Sequence, residues 1–305
     1  MKKYRLEEVL IMSLTFGLYP GCIILTEQYA YEIAARNVLP LLDVKLVDLN
    51  DISCCGEPLM SMNKLTWLYL AARNIAIAEK SNVDIMCLCN ACYLSLNKAK
   101  KLLMENLNLL EKINLILNDE GLKYTGKPKV KHLIEILHDD VGINKIREKI
   151  RFKLVGLKLA SYTGCHLLRP SSIIKADDPE NPSKLNRLVE ALGALSPRYP
   201  EELECCGAGL LIPKPDGGLS YASTQLKAIV NRGFDGVVTV CPACHKMFDS
   251  KQAVINQTLG LNIELPVIYY IQILGLAMGL SMMDIGLHLN QSPCDKLVAK
   301  VKGNG

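Results

Sequence analysis

The sequence predicts an α/β fold built from two duplicated halves, each a small parallel sheet flanked by helices. Three observations predict it: a cysteine order that occurs twice, an alternation of short apolar runs with helical segments, and the placement of each repeated cysteine group near the end of such a run. In sheets of this kind, ligands collect at the carboxyl ends of the strands, so the cysteine groups should converge there.

The repeat can be read directly. Cys22 is followed after 31 residues by the vicinal pair Cys54-Cys55, and after 33 more by Cys89-Asn90-Ala91-Cys92. Cys165 is followed after 39 residues by Cys205-Cys206, and after 34 more by Cys241-Pro242-Ala243-Cys244. Ten of the twelve cysteines thus form two copies of one order: single, pair, C-x-x-C. The surroundings repeat too, with YPGC against YTGC and CCG against CCG.

The elements follow in chain order. SLTFGLYPG before Cys22 reads as a strand and turn, and residues 26–38 as a helix with Thr26 at its cap. Residues 44–49 form a strand ending near the first vicinal pair, 64–80 an amphipathic helix, and 83–88 a strand running into Cys89. Residues 97–155 are rich in Lys and Leu, with helical runs at 97–118, 130–138 and 143–151. The second copy places strands at 157–162 and 236–240, and helices at 184–194 and 226–233. The division is therefore an N-terminal unit over 1–120, a helical connection over 121–155, and a C-terminal unit with terminal helices over 156–305.

Composition narrows the function classes. Half of the 305 residues are hydrophobic, enough for a substantial core, and 22% are charged without a long low-complexity block. A net charge of +4 gives no electrostatic case for nucleic acid or a membrane surface as partner. Residues 8–21 follow Lys2, Lys3 and Arg5 and end at Cys22, but Glu7, Glu8 and Tyr19-Pro20 break a lipoprotein-signal pattern, and a buried first strand is the reading adopted. Residues 266–287 approach the length of a membrane span, yet Pro266, Gln272 and Asp284 favour a buried helix broken near Ser281. No targeting signal is read, and the expected location is cytoplasmic. No Gly-rich dinucleotide loop follows any predicted strand, so electrons for redox chemistry must come from a partner.

Cys87 and Cys294 stand outside the repeat and read as small buried hydrophobes. For the ten that repeat, a disulfide framework lacks a secretion signal to support it. Zinc in one half remains open, since C-x-x-C is a standard half-site, although five sulfurs per half exceed a tetrahedron. A redox dithiol at each C-x-x-C leaves the vicinal pairs unexplained. Iron–sulfur ligation suits soft thiolates, and the adjacent glycines let backbone approach and donate N–H groups to sulfur.

The doubled arrangement, together with GCHLLRPS (164–171), DDPENPSKLNRLVEALGA (177–194), ECCGAG (204–209) and VCPACHKMFD (240–249), resembles the cysteine-rich CCG-domain family, and within it the HdrB branch of heterodisulfide reductases. The resemblance runs from about residue 14 to 285. It implies two pseudo-symmetric CCG domains with two noncubane [4Fe-4S] clusters at their interface. One would be held by Cys22, Cys54, Cys55, Cys89 and Cys92, the other by Cys165, Cys205, Cys206, Cys241 and Cys244. The implied activity is reduction of the CoM-S-S-CoB disulfide to two thiols. The implied partners are a ferredoxin-like iron–sulfur subunit of the HdrC type and a flavin subunit of the HdrA type. His166 and His245 directly follow ligand cysteines and are the candidate catalytic proton donors; each would serve equally as an outer hydrogen-bond partner. Arg169, Lys175, Lys214 and Lys246 lie near motifs and could meet an anionic substrate or only solvent. The alternative function is an electron-relay or assembly subunit of a quinone-linked or other oxidoreductase.

Overall fold

The computed structural model describes residues 14–303; the basic and apolar positions before residue 14 lie outside it. Strands and helices alternate from the start. The first half runs β1 (Leu14–Tyr19), α1 (Cys22–Thr26), α2 (Tyr29–Val38), β2 (Val44–Asp48), α3 (Lys64–Lys80), β3 (Asp84–Cys87), α4 (Asn90–Glu105), α5 (Leu107–Asn118), β4 (Val130–His132), α6 (Leu133–Glu135) and α7 (Ile143–Lys149). A π-helical turn, Ile136–Gly142, separates α6 from α7. The second half runs β5 (Leu159–Tyr162), α8 (Lys184–Ala191), α9 (Pro215–Asn231), β6 (Gly236–Thr239), α10 (Pro242–Phe248), α11 (Gln252–Leu259), β7 (Val267–Tyr269), α12 (Tyr270–Ala277) and α13 (Asp295–Gly303).

The strands form two parallel sheets, ordered β2-β1-β3-β4 and β5-β6-β7. A bridge between Lys158 and Leu195 supplies the counterpart of β2 beside β5, so the two sheets share one strand order. Central strands β1, β3, β5 and β6 end in buried residues, as parallel strands covered on both faces must.

Several expectations need correction. Thr26 does not cap α2; its hydroxyl bonds back to the carbonyl of Cys22, closing the short helix α1, and α2 starts three residues later. The run 97–118 is two helices, parted at Asn106, whose side chain accepts from Leu109 N at 3.0 Å and restarts the chain as α5. Residues 130–132 are not helical but form β4, paired with β3. The helix read at 226–233 begins at Pro215: Gly217-Gly218 disguise its first turn, while Pro215 at the first helical position is pre-set for it. The apolar stretch 266–287 is a strand and the helix α12, which stops at Ala277, and no helix among the described residues is long and apolar enough to cross a membrane.

The halves dock through α2 and α12. The buried face of α2 is small, with Ala30, Ala34 and Ala35 flanking Tyr31 and Val38, so the backbones approach closely. A Cβ at Gly275 would lie 2.5 Å from Ile285 Cγ2 and 2.8 Å from Val38 Cγ2. Gly275→Ala is therefore expected to lower stability by about 1–3 kcal/mol, read as a shift in the denaturation midpoint. An unchanged midpoint would show that this contact is not tight.

Candidate functional site

Each cysteine group sits at the carboxyl end of a parallel strand. β1 and β5 end in Tyr19 and Tyr162 and turn through Gly21 and Gly164 into Cys22 and Cys165. β3 and β6 run into Cys89 and Cys241, which stand just before α4 and α10. The vicinal pairs lie in loops ahead of α3 and α9. A tyrosine pins each loop: Tyr19 donates to the carbonyl of Ser53 at 2.6 Å, and Tyr162 to that of Glu204 at 2.5 Å. Those carbonyls immediately precede the pairs.

Glycine is required at the turns. Gly21 and Gly164 have φ of 82° and 79°, and an added Cβ would come within 2.7 Å of Cys92 Sγ and 3.2 Å of Cys244 Sγ. The glycines after the pairs, Gly56 and Gly207, are also left-handed. Their amides donate to the first thiol of each pair, Gly207 N to Cys205 Sγ at 3.3 Å and Gly56 N to Cys54. The next amides, of Glu57 and Ala208, reach Cys55 and Cys206.

The ten repeated thiols are neighbours in one continuous order. Cys22 meets Cys54 at 3.9 Å. Cys54 meets Cys55, Cys55 meets Cys92, and Cys92 meets Cys89. Cys89 then reaches Cys241 in the other half. From there the order reverses: Cys241 to Cys244, Cys206, Cys205 and Cys165. The line is a palindrome about the Cys89–Cys241 contact. Cys22 at one end is exposed, Cys165 at the other is half-buried beside the exposed Cys205, and the middle of the line is buried. Among the described residues, no group of three or more His, Cys, Asp or Glu side chains converges as the ligands of one metal ion do. Five sulfurs strung along a line suit an extended polynuclear group better than one tetrahedral ion.

The electrostatics repeat as well. Cys54 and Cys205 are held far below the usual thiol range, chiefly by hydrogen bonds from Cys22 and Cys165, whose own thiols are pushed up by the same contacts. Cys87 and Cys294 stay out of the line; both are buried, and burial is the main reason their thiols are driven upward.

The two histidines occupy different settings. His166 is half-buried in the turn after Cys165 and close enough to Cys205 to favour its thiolate. His245 is 1% exposed, its Nδ1 3.1 Å from Thr239 Oγ1 and its ring stacked on Tyr269 at 3.8 Å. Tyr269 stacks in turn on Tyr31 from the first half, at 4.1 Å. Burial lowers the His245 pKa to about 4, and that of the buried His132 likewise to about 4. A histidine depressed in the fold supplies stability that is present above the unfolded value, about 6.5, and is lost as pH falls toward 4. Each should therefore cost about 2 kcal/mol between pH 7 and pH 5. His132→Asn should flatten the fall in denaturation midpoint over that range, and an unaltered profile would show that His132 does not contribute.

Sequence reasoning missed Asn90, Tyr31 and Tyr269, which join the halves beside the thiols; only Asn90's place inside C-x-x-C hinted at a role. Of the basic candidates, Lys246 pairs with Glu27 at 2.5 Å, Arg169 lies 3.8 Å from Glu180, and Lys175 and Lys214 are exposed.

The cysteine-rich domain family CCG matches this chain twice, over residues 16–97 and 159–249. The chain belongs to the CCG domain family. The first CCG match spans β1 to α4 and the second β5 to α10, so each takes in one complete set of five cysteines. Over 93% of its length the chain is 35% identical to the B-subunit of the ferredoxin:CoB-CoM heterodisulfide reductase of Methanosarcina mazei, covering 96% of that protein. It is 29% identical over 94% of its length to the 8-methylmenaquinol:fumarate reductase membrane anchor subunit of Wolinella succinogenes, covering all of it. The same fold occurs in the crystal structure of a hypothetical protein from Helicobacter pylori, with a TM-score of 0.74 and 18% identity over 91% of this chain; this chain spans 52% of that one.

Proposed function

We propose that this CCG protein is the disulfide-reducing subunit of a heterodisulfide reductase complex, converting CoM-S-S-CoB to two thiols at two noncubane [4Fe-4S] clusters. The observation that carries the reading is the palindromic line of ten thiols across the two halves. Cys22, Cys54, Cys55, Cys89 and Cys92 would hold one cluster, and Cys165, Cys205, Cys206, Cys241 and Cys244 the other. The donor set fits: the ligands are soft thiolates, backbone amides already point at the vicinal sulfurs, and the glycine turns leave room where a Cβ would intrude. Such clusters supply one-electron reduction and iron sites that accept sulfur.

The chain's own residues do the rest. Disulfide reduction takes two electrons and two protons to give two thiols. The exposed thiols of the line, Cys22 and Cys205, put the approach of a substrate on their side. His166, beside Cys205, is placed to deliver a proton there. His245, buried and hydrogen-bonded to Thr239, holds its helix and Tyr269 in place rather than exchanging protons with solvent. With no dinucleotide loop in the sequence, electrons enter from a partner. The relatives' names support a heterodisulfide reductase complex, in which an iron–sulfur subunit of the HdrC type, backed by a flavin subunit of the HdrA type, would deliver them in the cytoplasm.

Anaerobically purified protein should contain about eight iron and eight acid-labile sulfide per chain. Zinc without sulfide would overturn the cluster reading. Oxidation in the presence of a thiol product should give a cluster-based paramagnetic signal, and its absence with full iron would overturn direct disulfide cleavage. The Wolinella relative favours a second reading, electron relay toward a quinone-linked partner. Quinol oxidation by the purified complex, without thiol release from the disulfide, would select it.

A further inference from the structure

The two vicinal pairs are held by different side chains. In the first half, Asn74 closes the loop. Fully buried in α3, it accepts from Ser53 N at 2.8 Å through Oδ1, and its Nδ2 donates to the carbonyl of Cys54 and to the hydroxyl of Tyr19, each at 3.2 Å. The carbonyl of Cys55 is held separately: Ser95 Oγ donates to it at 2.8 Å and accepts from Trp67 Nε1 at 2.8 Å. With Tyr19 on the carbonyl of Ser53, the successive carbonyls of Ser53, Cys54 and Cys55 all end on side chains.

The second half keeps only part of this clasp. An added Cβ at Gly56 would meet Trp67 and Leu70, and one at Gly207 would meet Gly218 and Tyr221, 11 and 14 residues on in both cases. Helices α3 and α9 therefore pack on their loops in the same register. In that register Gln225 answers Asn74, each 20 residues after the first cysteine of its pair. Gln225 is 2% exposed, and its Oε1 is buried with no hydrogen-bond partner. Met247 answers Ser95, each three residues after its C-x-x-C, and a thioether has no proton to donate. Glu204 N stays within its own turn, donating to Glu201 O at 3.1 Å. The bond from Tyr162 to the carbonyl of Glu204 is retained, but among the described residues no side chain holds the carbonyls of Cys205 and Cys206.

A buried acceptor without a partner disfavours the closed arrangement, and opening to water relieves it. We propose that the Cys205-Cys206 loop opens locally while the Cys54-Cys55 loop stays shut, so that the second half is where the thiol line exposes its buried sulfur. Asn74 is a positioning residue that fixes Cys54 and Cys55 through their backbone, and Gln225 is its unengaged twin. The opening exchanges hydrogen bonds with water and makes or breaks no covalent bond. One consequence rests on the cluster reading above: the cluster held by Cys165, Cys205, Cys206, Cys241 and Cys244 would be released first.

Backbone hydrogen exchange of the purified chain, kept anaerobic and resolved by peptide, compares amides 205–209 with amides 54–58. After correction for intrinsic rates, the second loop should exchange faster by on the order of a hundredfold, as the loss of several hydrogen bonds implies. Cys55 and Cys206 are alike in burial, 3% and 5% exposed, so alkylation located by mass spectrometry separates opening from static exposure. Under limiting chelator, Cys206 should be labelled before Cys55, as about half of the iron leaves. Asn74→Gln, which installs the second half's residue in the first, and Ser95→Ala should each speed exchange of the first loop and leave the second as it is. Equal exchange of the two loops in the unsubstituted chain would overturn the inference. So would Cys55 labelled as early as Cys206, or a first loop unmoved by both substitutions. Protein without iron and sulfide would overturn the cluster reading instead; the exchange comparison needs no iron, which keeps the two failures apart.

Discussion

Gly207→Ala is expected to destabilise the protein by about 3 kcal/mol. Two costs add. At φ 81° an L-residue loses about 1–2 kcal/mol relative to glycine. The new Cβ would also stand 2.4 Å from the carbonyl oxygen of Gly218 and 2.9 Å from Tyr221 Cβ. The first of these atoms is backbone in the opening turn of α9, so the strain cannot be relieved by a rotamer change, and overpacking costs a further ~1–3 kcal/mol. Gly209, two residues on, supplies the control, because its φ is not positive and an added Cβ meets nothing within 4 Å. Gly209→Ala should move the denaturation midpoint by less than about 0.5 kcal/mol. Equal effects from the two alanines would contradict the geometry of this loop. Because the amide of Gly207 also donates to Cys205, Gly207→Ala should loosen iron from the second half while sparing the first.

Cys241→Ser should abolish most disulfide reduction, by at least about a hundredfold, and remove roughly half of the iron. Cys241 stands at the palindrome's centre, beside Cys244 on its own side and Cys89 across the seam. Its loss takes a ligand from one cluster and the contact that joins it to the other. Cys87→Ala, two residues before Cys89 in sequence, should keep full iron and turnover and cost only packing, since Cys87 is a buried strand residue outside the line. Iron analysis and thiol release read both. Full iron and turnover in Cys241→Ser would remove this residue from the proposed ligand set.

The repeat was legible in one dimension because ligand chemistry tolerates so little change: a thiolate cannot be replaced by another apolar residue, so the order single, pair, C-x-x-C stays visible in both halves. The strands leading into Cys89 and Cys241 were legible for a similar reason, since a strand buried on both faces is a continuous apolar run. Where local signals conflict, the reading failed. Gly217-Gly218 resemble a turn, yet Gly218 lies in α9 because the close approach of the Gly207 loop demands a residue without a side chain there. β4 was lost among lysines and leucines because a three-residue strand has almost no period to detect, and pairing with β3 is what defines it.

The sequence alone determined the doubled α/β plan, the ten cysteines and the glycines that must turn beside them, because each of these is a local requirement of ligand type, strand burial or backbone conformation. Which sulfurs meet across the halves was decided only in three dimensions. The Cys89–Cys241 contact, the Asn90 bridge and the Tyr31–Tyr269–His245 stack exist because the alanine face of α2 docks against α12 at Gly275. Residues of different halves, some 70 to 240 positions apart, acquire their partners from that packing, and no spacing along the chain encodes it.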